Sequence, residues 1–547
     1  MHERGFLKRM RGDTGGNVLA IAAAAMIPFT IMVGSALDLS VTYMARSKLQ
    51  NACDAGALAA RQSMTGVDFT EEAEDEGDTF FTFNFPTGTA GATNVVFELE
   101  QDEDNGSQLN GVARAQVPTS LINIIGIDHL DISVQCDATR DMGHNDIMLV
   151  LDVTGSMNCA PGVAGGCGGV EQTGAKIQRL RDGASGLYKA MQSGDGSLVR
   201  FGIMPYSHTV NVGRSLEDPD ILKVQNYLTG NWTYERCESN GSVYWGCVAK
   251  TSSTRPAIGL TEGNTKYHRL VTFHKTGETG VDIKDSIWGT LGGHSTGNRQ
   301  GFRISGNACI EERPTIDPTN PAAAGTFVIR DYVTLDDINA TRKNDNDTAR
   351  QFGRYDPAVQ KGFTQDGCPA EATRLTKYDD EDDFDDAIDL ATSRVTGGTY
   401  HDLGMLWGTR FVSRDGFFKG NSVTAGFNAK THLGYPVNTH IVFMTDGILD
   451  TGDTLYSADG VQKYQLHQQG TGTLNQKHVA RFKSVCNLAK GMGVTVWVIA
   501  LDVPETDTAD IESCATSGEH FYVSDGTDLY NIFVEIGRGI GNLRLTR

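Results

Sequence analysis

The apolar positions of this chain follow three different periodicities, and each marks a different kind of element. Residues 18–37 carry no charge. A run of that length, at about 1.5 Å per residue, spans roughly 30 Å, the thickness of a bilayer core. Pro28 lies mid-run, a position that membrane helices tolerate better than soluble ones. Arg4, Lys8, Arg9 and Arg11 precede the run against Glu3 and Asp13. That bias predicts a cytoplasmic amino terminus with the rest of the chain on the far side. A cleaved signal peptide is the rival, but the run exceeds an ordinary h-region and continues into a helix. From Asp38 to Gln62, Leu39, Tyr43, Ala45, Leu49, Ala52, Gly56, Ala59 and Ala60 keep a helical spacing. Their small side chains suit close approach of another helix, self-association included.

Strict alternation takes over between Asn94 and Arg140. Val95, Phe97 and Leu99 precede a turn at Asn105-Gly106, and Val112 to Val117 and Ile132 to Val134 follow. An Asn-Gly turn between alternating runs predicts a hairpin. Residues 117–127 read as a short helix between strands, and 66–79 as an acidic linker or exposed helix.

Beyond residue 144 the apolar residues come in nearly continuous runs, at 147–151, 441–444 and 494–501, with a further strand at 198–206 and a shorter run at 521–523. Such runs are strands buried on both faces. Between them lie helical patterns, including Ile177, Leu180, Ala184, Leu187 and Met191 on one face. Helices at 403–412, 474–492 and 529–540 complete the series. The alternation of strand and helix predicts an α/β fold, a doubly wound and mostly parallel sheet. Residues 213–370 lack regular periodicity and are too long for a passive loop, so they read as an insertion. The expected organisation is 1–64, basic tail, membrane helix and helical extension; 65–143, an α+β spacer; and 144–547, the α/β head, interrupted at about 213–370.

Composition narrows the function. A net charge of −21 with no basic stripe speaks against nucleic acid. Ten cysteines occur without a Cys-x-x-Cys pair or a zinc spacing. An even count in a loop-rich chain reads as disulfides in an oxidising compartment. Cys159 with Cys167 and Cys486 with Cys514 are the preferred pairs, and Cys136 is a candidate for Cys53. Cys237, Cys247, Cys309 and Cys368 would staple the insertion, in an order the sequence leaves open.

The candidate chemistry sits where the apolar runs stop. After Leu151 come Asp152, Thr154 and Ser156 at alternate positions, and the run from His440 ends in Asp446-Gly447. Thr399 follows a glycine pair just before a helix. Strand ends of α/β sheets are where ligands bind. Carboxylates and hydroxyls are hard oxygen donors that suit Mg²⁺, with Mn²⁺ or Ca²⁺ as substitutes. His401 reads as a surface loop histidine, the acidic run 379–389 as a helix start complementing the dipole, and Lys176, Arg179, Arg181 and Lys189 as a solvated face. There is no Gly-x-Ser-x-Gly elbow, His-Glu-x-x-His, Walker loop or dinucleotide fingerprint.

The order Asp-x-Thr-x-Ser, Gly-Gly-Thr, Thr-Asp-Gly resembles the metal-ion-dependent adhesion site (MIDAS) of the von Willebrand factor A domain. That resemblance implies Asp152, Thr154, Ser156, Thr399 and Asp446 as ligands, direct or through water, and an open position for a partner's acidic group. Residues 14–63, with the phrase from Arg46 to Arg61, resemble the amino-terminal segment of the TadE/TadG proteins of Flp (Tad) pilus assembly. Cys53 departs from that family's small residue, and no Glu follows the glycines at a prepilin-peptidase spacing, which favours a retained anchor. Together the resemblances imply a non-enzymatic, single-pass protein of the bacterial inner membrane. Its bulk would be periplasmic, binding pilus-assembly components or serving adherence. An envelope metal-dependent hydrolase and a surface-released adhesin are the alternatives.

Overall fold

The structure is a computed structural model and describes residues 15–64, 68–102, 108–141, 144–163, 165–192, 198–216, 221–261, 263–282, 308–315, 327–340, 351–357, 359–360, 367–416, 418, 431–432 and 435–546. The predicted Asn105-Gly106 turn lies outside them. Two units are present, one formed by residues 1–142, 191–197 and 541–547, the other by 143–190 and 198–540.

The first unit is built on helix α1 (Gly15–Ser63), continuous through Pro28. Its early turns expose Ile21, Met26, Phe29, Met32 and Leu37. By length and composition it is apolar enough to cross a membrane. Further along, Ala45, Leu49, Ala52, Cys53, Ala57 and Ala60 are buried, the three- and four-residue spacing of one helical face. That face packs on helix α2 (Glu71–Asn84) and on an antiparallel sheet of β1 (Thr93–Gln101), β2 (Gln108–Pro118) and β3 (His129–Asp141). Residues 71–84 are therefore no linker, since Ala73, Gly77 and Phe81 line one buried stripe. The two helices meet at glycines: a Cβ on Gly56 would stand 3.0 Å from the Gly77 carbonyl oxygen. A disulfide joins Cys53 to Cys136. The carboxyl-terminal strand Asn542–Thr546 pairs with β3, so the chain does not close on its last helix as the sequence suggested. Five residues are too few for their alternation to stand out. The expected short helix at 117–127 shrinks to a single 3₁₀ turn at Ile122–Ile125, because β2 runs on to Pro118.

The head is the doubly wound α/β fold that the buried runs predict. Its sheet has the order β10 (Thr373–Thr376), β5 (Val199–Tyr206), β4 (His144–Asp152), β11 (Tyr435–Thr445), β12 (Thr495–Leu501) and β13 (Phe521–Ser524). A two-residue strand, Thr431–His432, pairs with β11 off this path. All the pairings along the path are parallel except β10 with β5. β4 is buried along its whole length, as a central parallel strand must be. Helices α3 (Lys176–Ala190), α4 (Glu381–Ala391) and α7 (Leu529–Ile540) pack together. Gly183 meets Phe533 there, and Tyr188 stacks on Phe384. Helices α5 (His401–Val412) and α6 (Leu474–Gly491) pack against each other and on the sheet, with Trp407, Phe443 and Phe482 in their core.

The insertion is more regular than its sequence. It holds a four-stranded antiparallel sheet in the order β7 (Tyr244–Ser252), β6 (Val224–Ser239), β9 (Lys266–Asp282), β8 (Gly259–Thr261). Nearly every residue of β7 is exposed, so no half-buried alternation betrays it. Disulfides join Cys159–Cys167, Cys237–Cys247, Cys309–Cys368 and Cys486–Cys514. Cys309–Cys368 closes the longest of these loops, a separation of 59 residues. In the chain-entropy account its removal costs about 4 kcal/mol. A Cys309→Ser/Cys368→Ser variant is expected to unfold at clearly lower denaturant, with Trp fluorescence as the readout; an unchanged midpoint would show the staple to be idle.

Candidate metal centre

β4 and β11 are parallel neighbours, with Leu151 opposite Met444. After β4 the chain moves to β5 on one side, and β11 returns on the other. The order reverses between these two strands, the switch point where α/β folds leave a crevice at the carboxyl ends. Asp152 ends β4, and Asp446 follows β11. The third segment, Gly397-Gly398-Thr399, is fastened by backbone. Thr396 N–H donates to the Val153 carbonyl at 2.8 Å, Gly155 N–H to the Gly397 carbonyl at 3.3 Å, and Asp450 N–H to the Thr399 carbonyl at 3.2 Å. The glycine pair has a steric reason. Gly397 has φ +85° with His208 against it, and a Cβ on Gly398 would lie 2.7 Å from the Asp450 carbonyl oxygen.

All five residues singled out from the sequence meet here. Thr399 Oγ1 donates to Thr154 Oγ1 at 3.3 Å, Thr154 Oγ1 and Ser156 Oγ are 3.1 Å apart, and Ser156 Oγ donates to Asp446 Oδ1 at 2.8 Å. Asp152 accepts from Thr154 N–H at 2.9 Å through Oδ1 and from Thr445 Oγ1 at 2.7 Å through Oδ2. The Tyr206 hydroxyl lies 3.5 Å from the same Oδ2. Asp152, Thr154, Thr399 and Asp446 are buried. Burial, and then the charge of Asp446, push the Asp152 carboxyl up to about 7. Burial also raises Asp446, against the pull of Lys176.

Lys176 corrects the sequence reading. Expected on a solvated face, it is buried, and its Nζ lies 3.0 Å from Asp446 Oδ2 and 3.1 Å from Asp502 Oδ2. Burial lowers its affinity for a proton, but the charges and hydrogen bonds of Asp446 and Asp502 outweigh that, and the net shift is upward. Nothing in the sequence distinguishes it from the other basic residues of α3. His401 is likewise buried rather than on a surface loop. It opens α5 facing inward, with Nε2 2.9 Å from Thr445 Oγ1, and burial takes it down to about 4. Thr445 was visible as the hydroxyl beside Asp446, yet its partner is Asp152. The acidic run behaves as expected, with Asp380 capping α4 by accepting from Asp383 N–H.

The donors are oxygens throughout, two of them on carboxylates, and no sulfur or imidazole enters the ring. This set fits a hard divalent cation. A further buried group, Asp402, Asp459 and His478, is cross-linked by its own charges: His478 Nδ1 lies 3.0 Å from Asp402, and Arg481 Nε 3.3 Å from it. Beside Gly397, Gly398 and Asp450 a cavity of about 640 Å³ opens toward the inserted sheet, lined by Trp232, Phe273, Tyr464, Arg255 and Lys463 among others.

Residues 16–62 match the family model described as putative Flp pilus-assembly TadE/G-like. No curated protein matches the chain. Among solved structures it is similar to the pilus adhesin SpaC from Lactobacillus rhamnosus GG in its open conformation. That alignment has 8% identity and TM-score 0.31, and covers 82% of this chain and 33% of SpaC. The chain thus spans about a third of the length of that adhesin. A second is the vWF domain of the type V pili tip protein Mfa5 from Porphyromonas gingivalis. Here identity is 10% and the TM-score 0.28, with 73% of this chain and 95% of that one covered. A third is proximal thread matrix protein 1 from the mussel byssus with a zinc-occupied MIDAS motif. It aligns at 12% identity and TM-score 0.19, over 75% of this chain and 100% of that one.

Proposed function

We propose that this chain is a membrane-anchored protein of Flp (Tad)-type pilus assembly or adherence. In this reading its head recognises a protein partner through a divalent cation held by Asp152, Thr154, Ser156, Thr399 and Asp446. The observation that carries it is the convergence of three chain segments, up to 290 residues apart, on one oxygen-lined point at the switch of strand order. The anchor assignment is supported by the TadE/G-like match and by the uncharged run 18–37 within α1. Mg²⁺ is the first choice, with Mn²⁺ or Ca²⁺ as substitutes. When bound, such an ion offers a position that an acidic side chain of the partner completes.

The protein groups divide the work. Asp152 is fixed by Thr445 and its own loop, Thr154 and Ser156 supply neutral oxygens, and the locked glycine turn sets Thr399. Two carboxylates formally match a dication, but Lys176 already shares the charge of Asp446 and the other three donors are neutral hydroxyls, which leaves the ion receptive to an incoming carboxylate. The neighbouring groups support recognition rather than turnover. Of the neighbouring imidazoles, His401 is bonded to Thr445 and His208 accepts from Gly398 N–H through Nδ1, while the Lys176 amine lies against two carboxylates. Partner selectivity would arise from the insertion, which lines the cavity beside the glycine turn. The amino terminus lies in the cytoplasm and the head in the periplasm.

Isothermal titration of Mg²⁺ and Mn²⁺ into the full chain in lipid nanodiscs tests this. Wild type is expected to bind one ion, Thr399→Val to weaken binding about 10–100-fold, and Asp152→Ala to abolish it. An Asp152→Ala isotherm equal to wild type would remove the basis of the proposal.

A further inference from the structure

From the end of β2 toward β3 the first unit carries an eleven-residue stretch, 117–127, without a charged side chain. At its centre is the 3₁₀ turn Ile122–Ile125, closed by Gly126 at φ +89°. The turn is seated on α1. Leu121 lies against Gly34, so closely that a Cβ at Gly34 would come 2.5 Å from the Leu121 Cβ. One helical turn later, Asp38 accepts from the backbone N–H groups of Ser120, Leu121 and Ile122 at 3.1, 2.8 and 2.7 Å. Gly34 is inside the uncharged run of α1, and Asp38 is the first charge after it. The turn is therefore held where the apolar part of the helix ends.

The side chains of this turn face the wrong way for a soluble protein. Ile122 is buried, but Ile124 is 68% exposed, Ile125 55% and Ile127 43%. On α1, Val33 and Leu37 are exposed at the same level, as are Leu39 and Tyr43 just beyond. The exposed apolar side chains of the turn and of the helix thus lie at one level of α1, in the region where Leu121 seats on Gly34. The carboxylate within it, Asp38, is 7% exposed and engaged by three donors. Its bonds also satisfy backbone N–H groups that would otherwise face a medium poor in water.

We propose that the Leu121–Ile127 turn is a second membrane contact, which inserts Ile124, Ile125 and Ile127 into the lipid interface beside α1. The inference rests on 18–37 being a membrane span. Apolar residues at such a boundary gain from burial at the level where headgroups meet acyl chains. Two contacts, a spanning helix and a lateral wedge, fix the tilt of α1 and the orientation of the unit above the bilayer, which a single helix leaves free.

The test uses the full chain in vesicles of phosphatidylethanolamine and phosphatidylglycerol, with a bimane fluorophore on one added cysteine at a time. The sites are Ile125→Cys in the turn, Met26→Cys in the helix and Val243→Cys on the inserted sheet. Quenching by shallow and by deep doxyl-labelled lipids and by aqueous iodide is read at each, the shallow label reporting on the turn and the deep one on the helix. The turn is expected to be quenched by the shallow doxyl lipid far above Val243→Cys and to be protected from iodide. If Met26→Cys is lipid-quenched while Ile125→Cys responds only to iodide, the wedge is wrong and the span stands. If Met26→Cys is not lipid-quenched, the span and the wedge both fall. Protection of Ile125→Cys from lipid and aqueous quenchers alike would mean that protein, such as a second copy, covers the turn, and would overturn the proposal.

Discussion

Replacing Glu312 by Gln is expected to destabilise the head by about 3–5 kcal/mol, the cost of leaving one member of a buried ion pair without its partner. Glu312 and Arg410 are each about 1% exposed and form a fork, Nη1 to Oε2 at 2.8 Å and Nη2 to Oε1 at 2.9 Å. Trp407 Nε1–H donates to the same Oε2 at 3.0 Å, and the guanidinium lies 4.6 Å from the Trp407 ring. Gln retains the shape but offers one acceptor oxygen and no charge, so Arg410 would stay buried and half satisfied. The pair joins the insertion to α5, the helix that opens two residues beyond Thr399, so local loosening should reach the glycine turn. Burial alone would raise the Glu312 carboxyl, but Arg410 and the neighbouring arginines outweigh it and hold it below its ordinary value of 4.5. The sign follows from linkage: the unfolded state takes up the proton first. The pair contributes fully above about pH 4.5, and its contribution disappears as the pH falls through the lower folded value. Urea unfolding followed by Trp fluorescence at neutral and at acid pH checks both points. A Glu312→Gln midpoint equal to wild type at neutral pH would contradict the account.

This pair also marks the limit of what could be read from the sequence. Apart from its edge strand β10, four residues outside any apolar run, the head's sheet was legible because most of its strands are covered on both faces, as the uninterrupted run 147–151 is. The five candidate residues drew attention in the sequence because each stands where such a run stops or where two glycines force a turn. What escaped depends on contacts rather than on pattern. Glu312 lies in a stretch without periodicity, and its partner Arg410 is 98 residues away on a helix whose every residue is buried. β7 escaped because this edge strand beside β6 is exposed along nearly its whole length, so side-chain alternation had no burial to report. Lys176 and His401 were misread for one reason: polar residues next to a site look like surface until a partner is seen. The terminal strand, whose partner β3 lies some four hundred positions earlier, carries no local signal of pairing.

Lys176→Met should make the head less stable without divalent cations and more responsive to them. The Lys176 ammonium sits between Asp446 Oδ2 and Asp502 Oδ2, and Asp502 also accepts from Gly162 N–H at 2.8 Å. It is the charge that keeps buried Asp446 compatible with its place beside Asp152 when no ion is bound. Removing it strands buried Asp446 beside Asp152, at a cost of about 3–5 kcal/mol. The same ammonium occupies one oxygen of the carboxylate whose other oxygen faces Ser156 and the proposed ligand ring. A cation bound there meets a like charge, so its affinity in the wild type is reduced. Without that charge affinity should rise, by about tenfold for each 1.4 kcal/mol of repulsion relieved. Because ligand binding stabilises the folded state in proportion to the logarithm of concentration over Kd, the Mg²⁺-dependent gain should be larger in the variant. Denaturant midpoints with chelator and with saturating Mg²⁺, together with calorimetric affinities, separate the two effects. The expected pattern is a large loss in chelator, substantial recovery with Mg²⁺ and a tighter isotherm. If Mg²⁺ affinity instead falls together with stability, Lys176 supports the ligand geometry rather than opposing the ion, and the competition between ammonium and metal is refuted.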